Sequence, residues 1–464
     1  VPDGLSRFYA QRPEWSTCGD DWQCAKVEVP LDYAEPDGQA IRLAVNRRAA
    51  DEPDRWRGAL LVNPGGPGVA GTSYAKLVLP RLGDITDTYD LVGFDPRGVG
   101  DSAGLDCISD DTLDDYLGAD GSPDTSAEVT GFVSRQKGLA DSCRRRSGAL
   151  LGHVSTVEAA RDMDIVRHVV GDPDLHYFGA SYGTLLGATY ADLFPERVGR
   201  MVLDGAVDPT VGGAGLALAQ AEGFETALQA YLADCVPGGD CPLGATVREA
   251  SANLAELMDR IDREPLPGDG DRELTPGWAF YALALPLYAE DLWPLLDQAL
   301  GAAVSGDGGP LLRLADLYVS RSSDGYVDDR MEAFVAISCL DNPRARTVAE
   351  VRADLPRFEA VSEVFGAAFA WSTMGCLGWP VRAADPIPRI DAAGAGPILV
   401  IGTTRDPATP YAWSQALADQ LASAVLLTHD GDGHGAFGQG DGCVDGAVVG
   451  YLTRGTLPRA GTTC

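Results

Sequence analysis

The sequence predicts an α/β fold, a doubly wound and mostly parallel sheet interrupted by an inserted helical lid. Three observations predict it. Short apolar or alternating runs recur through residues 1–205 with helical stretches between them; Ala/Leu-rich helical spacing replaces them from about 208 to 392; and two more strand-like runs close the chain. Strands alternating with helices indicate parallel pairing. At 464 residues the chain exceeds the roughly 250–300 residues at which single cores split, so a main domain and a sizeable accessory domain are expected.

Residues 24–30 and 41–47 have no helix between them and are expected to form an antiparallel entry to the sheet. Runs 59–63, 89–95, 175–178 and 198–203 each end near Gly, Pro, Asp or Asn, as strands do. Helical spacing marks 157–170 and 184–193 between them, then 213–232, 247–261, 276–288 and 291–304 in the middle block. Runs 397–401 and 424–429 restore the strand pattern, each followed by a loop of Gly, Asp and Pro. The expected organisation is a first core part at 1–207, a lid at 208–392 and a second core part at 393–464.

Hydrophobic residues are 45% and charged residues 22% of the chain, which suits a folded soluble protein rather than a disordered one. A net charge of −32 repels phosphate backbones and anionic headgroups, so neither nucleic acid nor a membrane is an expected partner. Ten cysteines form an even set. Nearest-neighbour pairing would close five local loops, although the count does not fix connectivity; persistent disulfides imply an oxidising compartment. Zinc sites favour paired Cys-x-x-Cys clusters, and none occurs here, so no metal or other cofactor is expected. No apolar run approaches the roughly 20 residues of a membrane span, and the polar start Val1-Pro2-Asp3 lacks a signal-peptide profile. The expectation is a secreted mature form, acting as a monomer.

The strand at 175–178 runs into Gly179-Ala180-Ser181-Tyr182-Gly183, followed by helical spacing. This is G-x-S-x-G in a strand, turn and helix context, the nucleophile elbow of the α/β-hydrolase fold, where small flanking residues let the serine project from strained backbone. A serine needs an imidazole to take its proton and a carboxylate to hold that imidazole, in the chain order Ser, acid, His for this fold. Asp406 follows the strand at 397–401, and His434 follows that at 424–429. His153, His168 and His176 precede the nucleophile, and His429 ends a strand where a packed histidine is common, so His434 is the expected base. Asp204, one strand earlier, is the rival acid and reads as a turn residue. Asp430, Asp432, His434, Gly435 and Asp441 loosely match a calcium loop, with a histidine where an oxygen ligand belongs. Asn63-Pro64-Gly65-Gly66-Pro67-Gly68 follows an early strand; it lacks the Gly-Lys-Ser/Thr ending of a phosphate loop, and Gly66 and Tyr182 are the expected oxyanion donors. In the turn 93–102, Arg97 is expected to brace the elbow.

These residues resemble the secreted bacterial tripeptidyl aminopeptidase family, relatives of the prolyl iminopeptidases, over nearly the whole chain. Phe8-Tyr9, Trp15, Cys18 and the run from Cys24 to Tyr33 are similar to the family's opening. So are 63–68, 93–102, 179–183, 431–434, Cys443, Tyr451-Leu452, Gly455-Thr456-Leu457-Pro458 and Cys464. The resemblance implies release of short peptides from free N-termini of peptides or proteins, a lid over the site, and an acidic group for the substrate ammonium, with Glu222 and Asp341 as candidates. Pro64 stands where prolyl iminopeptidases often carry His, which argues against strict prolyl specificity.

Overall fold

The computed structural model describes residues 2–239, 241–383, 385–387 and 389–464. Nine strands form one sheet: β1 Ser16–Thr17, β2 Trp22–Pro30, β3 Ala40–Arg48, β4 Gly58–Asn63, β5 Tyr89–Phe94, β6 Leu175–Ala180, β7 Val198–Asp204, β8 Ile398–Arg405 and β9 Ala424–Asp432. Their spatial order is β1-β2-β3-β5-β4-β6-β7-β8-β9. β2 pairs antiparallel with β3, and β3 with β5, the entry expected from the missing helix. From β5 to β9 every pairing is parallel, so this is the α/β-hydrolase fold.

A parallel strand covered on both faces reads as a continuous apolar run, and β4, Gly-Ala-Leu-Leu-Val-Asn, is buried at every position. Its period of two divides the core. Leu61, Tyr177, Leu203 and Val400 face one side with helices Thr156–Val169 and Tyr182–Leu193. Leu60, Val62, Phe178, Val202 and Leu399 face the other with helices Gly71–Leu82 and Gly442–Arg454. A third cluster joins helices Ala214–Cys235, Val247–Arg263, Pro276–Ala284, Trp293–Val304 and Gly309–Val319 through Leu228, Leu254, Leu283, Leu300 and Leu312. Helix Arg330–Asp341 instead sends Ala333, Ala336, Ile337 and Leu340 into the cluster beneath the sheet.

The five disulfides join Cys18 to Cys24, Cys107 to Cys143, Cys235 to Cys241, Cys339 to Cys376 and Cys443 to Cys464. Each closes a local loop. Arg97 does not reach the elbow. Its guanidinium, fully buried, donates to Asp162 at 2.7 Å through both Nε and Nη2, and to the carbonyls of Pro30, Leu31 and His153. It therefore ties the end of β2 to helix Thr156–Val169, because five fixed donors are satisfied there at once. Among the described residues no helix is long and apolar enough to cross a membrane.

Candidate active site

Strand register gathers the site. Asn63 of β4 stands beside Gly179 of β6, Ala180 beside Asp204 of β7, and Asp204 beside Ile401 of β8. The loops after the carboxyl ends of these strands therefore gather at one edge of the sheet, next to the point where the order turns from β5-β4 to β6. Ser181 occupies the turn between β6 and helix Tyr182–Leu193 at φ 55°, ψ −127°, a conformation that costs a non-glycine residue on the order of 1–3 kcal/mol. Its N–H donates to the Asp204 carbonyl at 3.0 Å, and its own carbonyl accepts from the Thr184 hydroxyl at 2.6 Å. Gly179 and Gly183 must be small: a Cβ on Gly179 would stand 2.4 Å from the Gly183 carbonyl oxygen.

Asp406 begins the loop after β8, and its buried carboxylate meets His434 Nδ1 with both oxygens at 2.9 Å. It also accepts the N–H groups of Ala408 at 2.9 Å, Thr409 at 2.8 Å and Gly435 at 3.1 Å, and the Thr409 hydroxyl at 3.0 Å. The rival, Asp204, accepts the N–H groups of Ala436 and Phe437. It braces the loop behind His434 rather than the ring, and burial pushes its carboxyl up. A Cβ on Gly205 would stand 3.4 Å from Asp406 Oδ2 and 3.5 Å from His434 Cε1, so acid and base adjoin the segment that holds the Ser181 amide. Among the described residues the Ser181 hydroxyl makes no hydrogen bond, to His434 included; in resting sites this link commonly tightens only with substrate. Burial works against charge on His434, but the adjacent Asp406 and then Asp204 outweigh it and raise the ring above its ordinary 6.5.

From the helical segment between β7 and β8, the Tyr288 carbonyl accepts the His434 N–H at 2.9 Å, and the two rings lie 5.1 Å apart. Gly433 allows this approach: at φ 93°, a Cβ would come 2.7 Å from the Tyr288 carbonyl oxygen.

Tyr182 opens its helix, so its N–H has no partner within that helix. In the 63–68 loop, the Gly65 N–H donates to Asn63 Oδ1 at 2.9 Å, whereas the Gly66 N–H has no hydrogen-bond partner among the described residues. Gly65 and Gly66 stand at φ 94° and 105°. A Cβ on Gly65 would come 2.8 Å from both Ser181 Cβ and the Tyr182 nitrogen, so only glycine leaves room between the loop and the elbow.

Asp341 and Glu222 part company. Asp341, half-buried at the end of helix Arg330–Asp341, accepts the Thr156 N–H at 3.0 Å and hydroxyl at 2.5 Å. The same hydroxyl meets the Tyr182 hydroxyl at 2.6 Å. Burial lifts the Asp341 carboxyl to about 6 against the opposing Thr156 bonds. Glu222 is exposed, while its neighbour Gly223 presses on the Asp406-Pro407 backbone. His429 lies between the Thr403 hydroxyl at 3.4 Å and Asp441 at 3.5 Å. Asp430 and Asp432 are engaged by Arg405, and Asp441 caps helix Gly442–Arg454; these carboxylates do not converge as calcium ligands would. Thr409 and Gly65 escaped the sequence reading, because a hydroxyl three residues after the acid and one glycine among several carry no signal until the loops meet.

A family profile described as TAP-like protein matches residues 362–464. Serine protease Hip1 of Mycobacterium tuberculosis is 38% identical over 458 residues, covering 95% of this chain and 87% of that protein. A protein of the same organism named carboxylesterase B is 38% identical over 475 aligned positions, 98% of this chain and 90% of that one. Tripeptidyl aminopeptidase of Streptomyces lividans is 32% identical over 469, covering 97% and 86%. Full-length likeness at these identities, on this sheet and around this elbow, identifies the chain as a hydrolase of the TAP-like family within the α/β-hydrolase fold.

Proposed function

We propose that the chain is a secreted serine exopeptidase that releases short peptides, tripeptides on the family reading, from free N-termini through an acyl-enzyme. The observation that carries this is an imidazole held by both oxygens of Asp406 at 2.9 Å, together with a serine fixed at φ 55° in the turn after β6. Ser181 Oγ attacks the scissile carbonyl carbon while His434 Nε2 takes its proton. The N–H groups of Gly66 and Tyr182 stabilise the oxyanion. The intermediate collapses as His434 returns the proton to the leaving amine. Water, deprotonated by the same ring, then clears the ester, and Asp406 holds the tautomer and offsets the imidazolium charge.

Asp341 suits the substrate ammonium better than Glu222, being half-buried and linked through Thr156 to the residue after the nucleophile. An extended chain spans at most ~3.3–3.6 Å per residue, so a three-residue acyl group needs its anchor on the order of 10 Å from the serine. Five disulfides support an extracellular setting. An esterase is the second reading, favoured by the likeness to carboxylesterase B.

Chromogenic tripeptide amides with a free or acetylated amino end, and a matched simple ester, test the proposal. Turnover of the free amide and not of the acetylated one supports it, whether or not the ester is also cleaved; equal turnover of both amides, or of the ester only, overturns it. Ser181→Ala should abolish turnover and fluorophosphonate labelling together. Asp341→Asn should raise KM for the free peptide and leave the ester unchanged.

A further inference from the structure

β8 and β9 are laced together immediately before they deliver the acid and the base. Register shifts between Thr403, opposite His429, and Arg405, opposite Asp432, so β9 carries one extra residue there. Such a bulge re-aims the side chains that follow it. Arg405 Nε donates to Asp432 Oδ1 at 2.8 Å and Nη1 to Asp430 Oδ1 at 2.9 Å, while the Thr404 hydroxyl donates to Asp430 Oδ1 at 3.0 Å. Arg405 is bonded covalently to Asp406, and Asp432 precedes His434 by two residues. The ion pair and the bond between Asp406 and His434 therefore close a ring of five residues, Gly433 included, and the two bonds restrain each other.

We infer that Arg405 is a positioning residue that sets the Asp406 carboxylate against the His434 ring through its bond to Asp432. This rests on reading Asp406 and His434 as the acid and base of the proposed hydrolase. The Asp432 arm matters more than the Asp430 arm: the Asp432 side chain is 14% exposed, that of Asp430 64%, and water screens an exposed pair to little worth. Arg405 is also the cation among several anions. His434 faces Asp406 and Asp204 from the strand ends and Tyr288 from the lid. Asp432 in turn faces Glu290 of the lid, and Asp234, at the end of helix Ala214–Cys235, adds to that field; burial first and then these two carboxylates push Glu290 up. Removing the guanidinium leaves these charges uncompensated beside the base, which favours the protonated ring.

The test compares Arg405→Met, Arg405→Lys, Asp432→Asn and the Met/Asn double variant by kcat, KM and the pH dependence of kcat/KM on a free tripeptide amide, with thermal midpoints alongside. Arg405→Met should lower kcat roughly 10- to 100-fold, as about 1 Å of misplacement does, hold KM within about twofold, and move the acid limb to higher pH. Lys, a cation without the planar fork, should restore the limb but only part of kcat. Asp432→Asn should lower kcat with the limb unmoved or shifted down, and the double variant should be no worse than Arg405→Met. Unchanged kcat and limb in Arg405→Met, or losses that merely follow the thermal midpoint, would overturn the role. His434→Gln and Asp406→Asn separate the two readings: if either retains full turnover the triad reading fails, and if both are inactive while Arg405→Met is unimpaired, only the positioning role fails.

Discussion

At the scale of single residues, the proposed mechanism rests on backbone strain at Ser181 and a doubly held imidazole at His434. As the proposed base, His434 must be neutral to accept a proton, and its ring is raised above 6.5. Activity should therefore fall as pH drops through a midpoint above that value, and a kcat/KM profile whose acid limb lies at or below the ordinary histidine range would contradict the environment described. Gly65→Ala should be more selective than its size suggests. The added methyl meets the Tyr182 nitrogen at 2.8 Å, so kcat should drop on the order of 100-fold, the loss typical of one oxyanion donor; steady-state kinetics and circular dichroism on the folded variant check this. At this scale the sequence named Ser181, Asp406 and His434 through the types of residue that hydroxyl activation requires, and the structure bonds Asp406 to the His434 ring. It did not disclose Thr409, whose hydroxyl reaches Asp406 at 3.0 Å, because that contact exists only after the loop turns.

Helix Arg330–Asp341 lies in the segment between β7 and β8 yet packs into the cluster beneath the sheet. Gly68 of the 63–68 loop lies against it, since a Cβ there would stand 2.5 Å from the Arg330 carbonyl oxygen. Asp329 accepts the N–H groups of Gly100 and Leu105, and Glu332 those of Cys107 at 2.8 Å and Ile108 at 2.9 Å. Burial raises Glu332 from 4.5 to about 7, and Asp329 and Asp341 from 3.8 to about 6. A carboxyl raised on folding contributes stability that is full below its unfolded value and is lost as pH rises through the folded one. Unfolding free energy should therefore decline between about pH 4 and 7 and level off above. Glu332→Gln keeps the accepting oxygen without the ionisation and should remove on the order of 3 kcal/mol of that decline. Chemical denaturation across this range checks it, and a parallel decline in the variant would refute it. The strands were legible because period-two and fully apolar runs declare themselves locally. Helix Ser126–Ser147 was not, since it is largely polar and its buried apolar residues are Val129, Phe132, Leu139, Ala140 and Cys143.

For the whole molecule, five local disulfides and a net charge of −32 describe a surface and framework suited to life outside the cell. Cys339 joins helix Arg330–Asp341 to Cys376 across 37 residues, whereas Cys18 and Cys24 are separated by 6. Loop-closure entropy assigns roughly 4 kcal/mol to the longer loop and about 2.5 to the shorter. Replacing both cysteines of the first pair by alanine should therefore lower stability more than the same change in the second, as measured by denaturant unfolding. Strand succession, the Gly-x-Ser-x-Gly elbow and an even cysteine set were legible in the amino-acid order alone, because each is a local pattern. It took the fold to bond Asp406 rather than Asp204 to the His434 ring, to seat Asp341 on Thr156 while Glu222 stays exposed, and to place Arg97 at the end of β2. Those choices depend on which side chain lies nearest in space once parallel strands, far apart in the chain, have fixed their register.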